Sequence, residues 1–172
     1  MLRLRLVRNE GERGRINRGD ETFENARYYH LGVSNSRPSS PTNDVQVILI
    51  RIEEAGPDGT FQVAWVGEVP MRWRNQESSP LTRTIGPEAN CDLCCVGERR
   101  WLSLMPLITP FSMSATKNAR CRIALLLQAR STQADSNVFR AEISWDGVWE
   151  DGDAEIQSHL QINVSEGSPT RS

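Results

Sequence analysis

Residues 44–69, "DVQVILIRIEEAGPDGTFQVAWVGEV", have the pattern of two β-strands joined by a tight turn. Segment 44–53 is rich in β-branched residues and apolar on both faces in its middle, which is typical of a central strand. Segment 54–60 contains the letters "PDG", a strong turn signal. In segment 61–69 apolar residues recur at every second position, so we predict the antiparallel partner of the first strand.

The same two-residue period extends outward from this hairpin in both directions. Further strands are predicted over 2–7, 26–35, 70–75, 100–107, 120–130, 137–147 and 158–165. Helical patterns are short by comparison, and only 114–120 and 151–159 are expected to form single turns. About eight or nine short strands predict an all-β fold, a single antiparallel β-sandwich, with an open barrel as the alternative.

One part of this pattern resembles a known family. Within residues 28–52, "YYHLGVSNSR" and "PTNDVQVILIRIE" resemble the opening strand pair of bacterial immunoglobulin-like domains, including the cell-adhesion-related type. There a hydrophobic-x-V-x-N strand leads through a polar loop to an x-N-V-x-V-x-L strand, and Asn35 and Asn43–Asp44 match. The "YYHL" strand and "WVGEVPMRW" (65–73) are also similar to uncharacterised bacterial sandwich domains. The resemblance implies an immunoglobulin-like sandwich and brings no activity with it.

The chain has 172 residues, a length that suits one domain with a single core. We predict a domain over 1–165 and a flexible tail over 166–172, "EGSPTRS". Segment 74–99 is predicted as one long insertion that departs from the immunoglobulin plan, and 8–25 as a second long loop. No apolar run approaches 18 residues and the first residues lack a secretory pattern, so we expect no membrane insertion and a cytoplasmic protein.

Charge gives no overall attraction to nucleic acid, because 20 basic and 22 acidic residues leave a net charge of −2. The charges are nevertheless uneven. Arginines dominate 1–18, and 146–155 carries five acidic residues and no basic one. These opposite segments either meet within the fold, meet across two copies, or lie in separate solvated loops.

Three of the four cysteines lie in "CDLCC", at Cys91, Cys94 and Cys95, and the fourth is Cys121. Structural zinc sites need four ligands, usually as two close pairs, and a second pair is missing here. Cys121 is in phase with apolar residues of its predicted strand. We therefore expect buried free thiols that pack in the core, with the four cysteines as candidate metal ligands in the alternative.

Catalytic motifs are absent from the sequence. There is no G-x-S-x-G, H-E-x-x-H or Walker motif, and the histidines are His30 and His159. The acidic run 145–155 lacks the EF-hand pattern for calcium. We predict that the protein is not an enzyme and uses no cofactor.

The prediction for function is a non-catalytic protein-interaction module, part of a bacterial assembly or self-associating. Its partner is another protein or a second copy, because long loops on a rigid sandwich commonly carry recognition. The candidate contact residues are Arg13, Arg15, Arg18, Arg72, Arg74, Trp149, Glu150 and Asp151. One alternative is a carbohydrate-binding or small-ligand-binding sandwich that uses Tyr28, Trp101 and Trp149. The other is a zinc-stabilised domain.

Overall fold

Two antiparallel β-sheets pack face to face in a computed structural model that describes residues 1–37, 39–74, 82–111, 113–133 and 135–167. The predicted all-β sandwich is confirmed. The strands, in chain order, are β1 (Leu2–Leu6), β2 (Glu12–Asn17), β3 (Phe23–Asn35), β4 (Thr42–Ala55), β5 (Phe61–Pro70), β6 (Arg83–Ile85), β7 (Glu88–Gly97), β8 (Trp101–Leu104), β9 (Thr116–Lys117), β10 (Cys121–Arg130), β11 (Phe139–Trp145) and β12 (Leu160–Glu166). A single helical turn, α1 (Asp153–Ile156), precedes β12.

The first sheet has the order β1-β3-β7-β8-β9, and β2 pairs with the first half of β3. The second sheet has the order β12-β11-β10-β4-β5, and β6 pairs with the start of β4. Both sheets therefore mix neighbours in sequence with strands that are distant in sequence. In each sheet one face is turned toward the other sheet, and we call the opposite face its outer face.

The hairpin over 44–69 forms as predicted. Ala55 lies opposite Phe61, and the intervening turn contains Gly59 with a positive φ of 79°. Asp58 stabilises this turn because its carboxylate accepts hydrogen bonds from the backbone N–H and the hydroxyl of Thr60. β4 lies between β5 and β10, which confirms it as an interior strand.

Alternating side chains of both sheets fill the space between them. Full burial of one Leu, Ile or Val side chain contributes roughly 1.5–3 kcal/mol to stability, so this layer provides most of the driving force for folding. Buried members of this core include Leu4, Tyr29, Leu31, Leu49, Ile52, Trp73, Leu93, Leu125, Ile143 and Trp145. Segment 70–75 was predicted as a strand. The side chains of Met71 and Trp73 point into the core as expected. Their backbones form isolated bridges to Pro106 and Cys91, and residue 75 lies outside the described residues.

The prediction that 74–99 is one insertion is wrong for its second half. β7 lies in the middle of the first sheet, between β3 and β8. All residues from Cys91 to Gly97 are buried, so the strand has no exposed face and no polar–apolar alternation by which to recognise it. Residues 75–81 lie outside the described residues.

Two further sequence expectations are corrected. Segment 8–25 is not one loop, because β2 and the start of β3 form a hairpin within it. Segment 114–120 forms no helical turn, since β9 pairs with β8 instead. The described residues hold twelve strands, against the eight or nine predicted, and the additional ones are mostly short. The expected single turn within 151–159 is confirmed by α1.

The predicted boundary between the domain and its tail, after residue 165, lies at the end of the last strand. β12 ends at Glu166, the first residue of the predicted tail, and residues 168–172 lie outside the described residues. Within the described ranges no helix is long and apolar enough to cross a membrane.

Candidate functional site

The basic N-terminal segment and the acidic loop meet within the fold. Arg13 on β2 donates from Nε to the carboxylate of Asp153 at 3.2 Å and from a guanidinium nitrogen to the carbonyl of Asp151 at 3.0 Å. Arg27 on β3 is 1% exposed and donates to the carbonyls of Glu10 at 3.0 Å and Asp151 at 2.5 Å. It also forms an ion pair with Asp153 at 2.8 Å. These charges are therefore paired within one molecule.

Two more of the predicted arginines are engaged on the outer face of the first sheet. Arg18 forms an ion pair with the fully buried Glu24, and Arg74 donates to Glu12 at 2.5 Å. Arg72 is half-buried, and its buried Nε has no hydrogen-bond partner among the described residues. Neither of the two engaged guanidinium groups is free for an external carboxylate.

The remaining predicted contact residues do not converge on one surface. Arg15 is exposed on β2, and the described part of the chain offers its side chain no hydrogen bond or ion pair. Glu150 is exposed in the acidic loop, and Trp149 is half-buried against the core. Of the eight predicted contact residues, Arg13 and Asp151 are the pair that the structure brings together.

The thiols of β7 are buried, as predicted, and belong to two sides of the sheet. Cys91 and Cys94 belong to the core between the sheets, whereas Cys95 follows Cys94 directly and faces the outer side. Burial raises the pKa of Cys95 to about 12, and it raises the pKa of Cys91 and Cys94 well above the usual range. Cys121 is only partly buried, and burial raises its pKa to about 11. Across the described ranges, no group of three metal-ligating side chains converges.

The aromatic residues considered for carbohydrate binding are engaged with the protein itself. The indole of Trp101 lies over Gly97 and donates from Nε1 to Glu24 at 2.8 Å. The ring of Tyr28 lies against Gly14, where an added Cβ would be 2.7 Å from the ring. These side chains close the outer face of the first sheet and form no exposed aromatic platform.

Four apolar side chains are exposed on β5 and on the loop that begins beside its end. Val63 and Val66 on β5 are 56% and 66% exposed, and Ile108 and Phe111 are 61% and 92% exposed. The loop that carries the second pair begins beside the end of β5, because the N–H of Leu107 donates to the carbonyl of Pro70 at 2.9 Å. We call Val63, Val66, Ile108 and Phe111 the apolar rim.

A polar groove lies at one end of the second sheet, on its outer face. Two adjoining cavities of about 650 and 660 Å³ share four lining residues from β10, β11, β12 and the residue before β10. The first cavity is bounded by the β4–β5 turn and the second extends toward Asn163. We call this the sheet-end groove. Its shared lining residues are Arg120, Arg122, Ser144 and Gln161.

The groove contains a histidine held by a carboxylate. Nδ1 of His159 lies 2.6 Å from Oδ2 of Asp146. Partial burial opposes ionisation of Asp146, but hydrogen bonds with His159 and from the N–H of Val148 hold its pKa below the usual range. Among the described residues no serine hydroxyl or cysteine thiol is hydrogen-bonded to His159. The arrangement suits binding through hydrogen bonds.

Sequence reasoning missed both the groove and the rim. The groove depends on cross-strand register, which places Ser144 beside Arg122 and Gln161, and no motif in one strand encodes that register. The segment "FQVAWVGEV" carries Val63 and Val66 on neighbouring odd and even positions, but their exposure depends on β5 being an edge strand. Comparison of the chain with protein-family models, curated proteins and solved structures finds no match.

Proposed function

We propose that the protein is a non-catalytic protein-interaction module that associates with a second copy of itself through the apolar rim. The observation that carries this proposal is the exposure of Val63 and Val66 on an edge strand. Exposed apolar side chains on an unpaired edge favour pairing with another chain, because pairing buries the side chains and satisfies backbone hydrogen-bonding groups.

The composition of β5 supports this use. Within the described residues β5 pairs only with β4, so its other side presents unpaired N–H and C=O groups. Its ten residues include no lysine or arginine, and the one acidic residue, Glu68, forms an ion pair with Arg130 at 2.8 Å. Edge strands that avoid association usually carry unpaired charges, above all lysine.

The same strand limits the form of the contact. Its register against β4 shifts at two places, and such bulges bend an edge strand and interrupt a long ladder. The proposed contact is therefore mainly apolar, with short stretches of strand pairing. Its remaining area comes from Ile108 and Phe111, which the adjacent loop presents beside the end of β5.

Electrostatics separates this proposal from association driven by opposite charges. Arg13 and Arg27 already bind the acidic loop through Asp153, and the net charge is only −2. Added salt should therefore leave the dimer intact or strengthen it, since salt screens ion pairs but not apolar burial.

Several finer statements belong to the same proposal. The relation to bacterial immunoglobulin-like domains, a role in a bacterial assembly, a cytoplasmic location and the lack of nucleic-acid partners remain predictions. The zinc-stabilised alternative has less support, because consecutive Cys94 and Cys95 point to opposite faces. The carbohydrate alternative that used Tyr28, Trp101 and Trp149 also has less support, because the first two rings lie against glycines and the third packs against the core.

Size-exclusion chromatography with light scattering tests the proposal. We expect a wild-type dimer at low and at high salt, and a monomer for Val66→Lys, which places a charge in the buried contact. Phe23→Lys is the matched control, because Phe23 is 58% exposed and lies on the first sheet, outside the rim. A wild-type monomer at every concentration, or a Val66→Lys dimer as stable as the wild type, would overturn it.

A further inference from the structure

The sheet-end groove has the size and lining of a site for a small polar molecule. Its first cavity, of about 650 Å³, is within the range of ligand pockets. Neutral hydrogen-bonding side chains line it from two neighbouring strands and the turn before the second, at Ser144, Gln161 and Ser158. Hydroxyl and amide groups of this kind both donate and accept hydrogen bonds, as sugar hydroxyls do.

The arginines that line the groove differ in their partners. Arg122 forms an ion pair with Glu142 at 2.5 Å, and beside the groove Lys117 forms an ion pair with Glu54 at 2.5 Å. Arg120 lines both cavities and is exposed. Its side chain has no hydrogen bond or ion pair within the described ranges, so its guanidinium is available to an anionic group of a ligand.

His159 adds an oriented hydrogen-bonding group. A carboxylate accepts, so Nδ1 carries the proton that faces Asp146. In the neutral ring Nε2 is therefore an acceptor, and it has no partner in the described part of the chain. An acceptor of this kind suits a hydroxyl group and disfavours an anion, which places the anionic end of a ligand at Arg120 and its hydroxyl-bearing part at His159.

We propose that the sheet-end groove binds a sugar that carries one anionic group, a carboxylate or a phosphate monoester, with Arg120 at the anionic group and Ser144, Gln161 and His159 at the hydroxyls. One unpaired arginine matches one anionic group, and the neutral lining matches the rest of the sugar. This site is separate from the apolar rim and extends the protein's function beyond self-association.

Isothermal titration calorimetry with glucuronate, glucose 6-phosphate, glucose and inorganic phosphate tests the proposal and distinguishes the two anionic groups. We expect glucuronate or glucose 6-phosphate to bind more tightly than glucose and more tightly than inorganic phosphate. Arg120→Gln should weaken binding of the better ligand by about tenfold or more, because a charge-assisted hydrogen bond is lost. Since Arg120 has no protein partner, this variant should fold normally.

Arg15→Gln is the matched control, because Arg15 is likewise exposed and without a partner among the described residues but lies on β2. Its binding should equal that of the wild type. Val66→Lys should still bind the anionic sugar, which separates the groove from association through the rim. The proposal is overturned if neither anionic sugar binds, if inorganic phosphate binds as tightly as both, or if Arg120→Gln and Arg15→Gln have the same effect.

Discussion

Replacing Glu24 is expected to have the largest effect of any single charged-to-neutral change on the outer face of the first sheet. Its carboxylate is fully buried. One oxygen accepts hydrogen bonds from the N–H of Arg99 and from Nε1 of Trp101, both at 2.8 Å, and the other accepts from Nε of Arg18 at 2.6 Å. Glu24 thus joins the start of β3 to the β7–β8 turn and the first residue of β8.

The loss of stability in Glu24→Ala follows from the hydrogen-bond donors that lose the Glu24 carboxylate as their acceptor. Two donors, the backbone N–H of Arg99 and the indole N–H of Trp101, lose their acceptor in a partly buried position, and each such loss costs about 1–3 kcal/mol where water cannot replace the acceptor. Arg18 is partly exposed and regains water, so its loss adds little. We expect unfolding free energy to fall by roughly 3 kcal/mol, at the lower end of the range for breaking a buried ion pair. Glu24→Gln keeps an acceptor for both donors and should cost only about 1 kcal/mol.

The pH dependence of stability provides a second test of the role of Glu24. Burial alone would raise the pKa of Glu24, but the hydrogen bonds from Arg99, Trp101 and Arg18 outweigh it and hold the pKa below the usual range. The carboxylate therefore stabilises the fold fully above its unfolded pKa of about 4.3, and this stabilisation is lost as the pH falls through the lowered folded pKa. Glu24→Gln cannot titrate, so its stability should depend less on pH in that range.

Urea unfolding followed by tryptophan fluorescence measures both effects, at neutral pH and at about pH 4. Trp101 reports the site directly, since its indole loses the partly buried hydrogen bond to Glu24 in Glu24→Ala and its emission should shift to longer wavelength. Equal losses of unfolding free energy in the alanine and glutamine variants would refute this expectation, because most of the cost of Glu24→Ala should come from the two donors left without an acceptor. A loss below about 0.5 kcal/mol for Glu24→Ala would refute it too.

Three further outcomes are expected. Arg27→Met should lower the free energy of unfolding by about 2–3 kcal/mol, because the carbonyls of Glu10 and Asp151 lose a buried donor. Amide hydrogen exchange should become faster in the acidic loop that Arg27 holds, and unchanged exchange there would contradict this expectation. A thiol reagent at mildly alkaline pH should label Cys121 first and the thiols of β7 only on unfolding, as mass spectrometry of the labelled protein can check. Gly97→Ala should displace Trp101, since the new Cβ would lie 2.3 Å from the indole, with a red-shifted emission and a loss of about 2 kcal/mol by urea unfolding.

Sequence reasoning found β4 and β10 from runs of apolar residues, and it found most of the other predicted strands from the alternation of one buried and one exposed face. β11 is an example, because Phe139, Ala141 and Ile143 are buried and the residues between them are not. β7 was missed because both of its faces are covered, so its cysteines and Asp92 gave no alternation. Alternation measures the difference between two faces, and it vanishes when both are buried.

The candidate site was harder to predict because it depends on contacts between distant parts of the chain. The meeting of Arg13 with Asp151 joins residues 138 positions apart, and from the sequence we favoured separate solvated loops for those charges. Rim exposure likewise depends on β5 being an edge strand, which is a property of sheet order. Local patterns specify which residues share a face of one strand, but only the order of strands decides which face remains uncovered.

The two sheets differ in how far their own side chains cover their outer faces. The first sheet covers its own face, with Trp101 over Gly97, Tyr28 against Gly14 and Glu24 buried beneath Arg18. The second sheet leaves an open groove at one end and an uncovered edge at β5. Both features adjoin the β4–β5 turn, which bounds the groove and leads directly into β5.

Because the β4–β5 hairpin borders both the groove and the apolar rim, it is possible to measure whether sugar binding and self-association are coupled. Phe61, the first residue of β5, lies beneath the guanidinium of Arg122 at 5.1 Å, and Arg122 lines the groove. A second copy that orders β5 would therefore also restrain one wall of the groove. Because linkage is reciprocal, an anionic sugar that tightens the dimer must bind the dimer more tightly than the Val66→Lys monomer, by the same factor. Equal affinity for both forms would show that the hairpin holds the two surfaces side by side without coupling them.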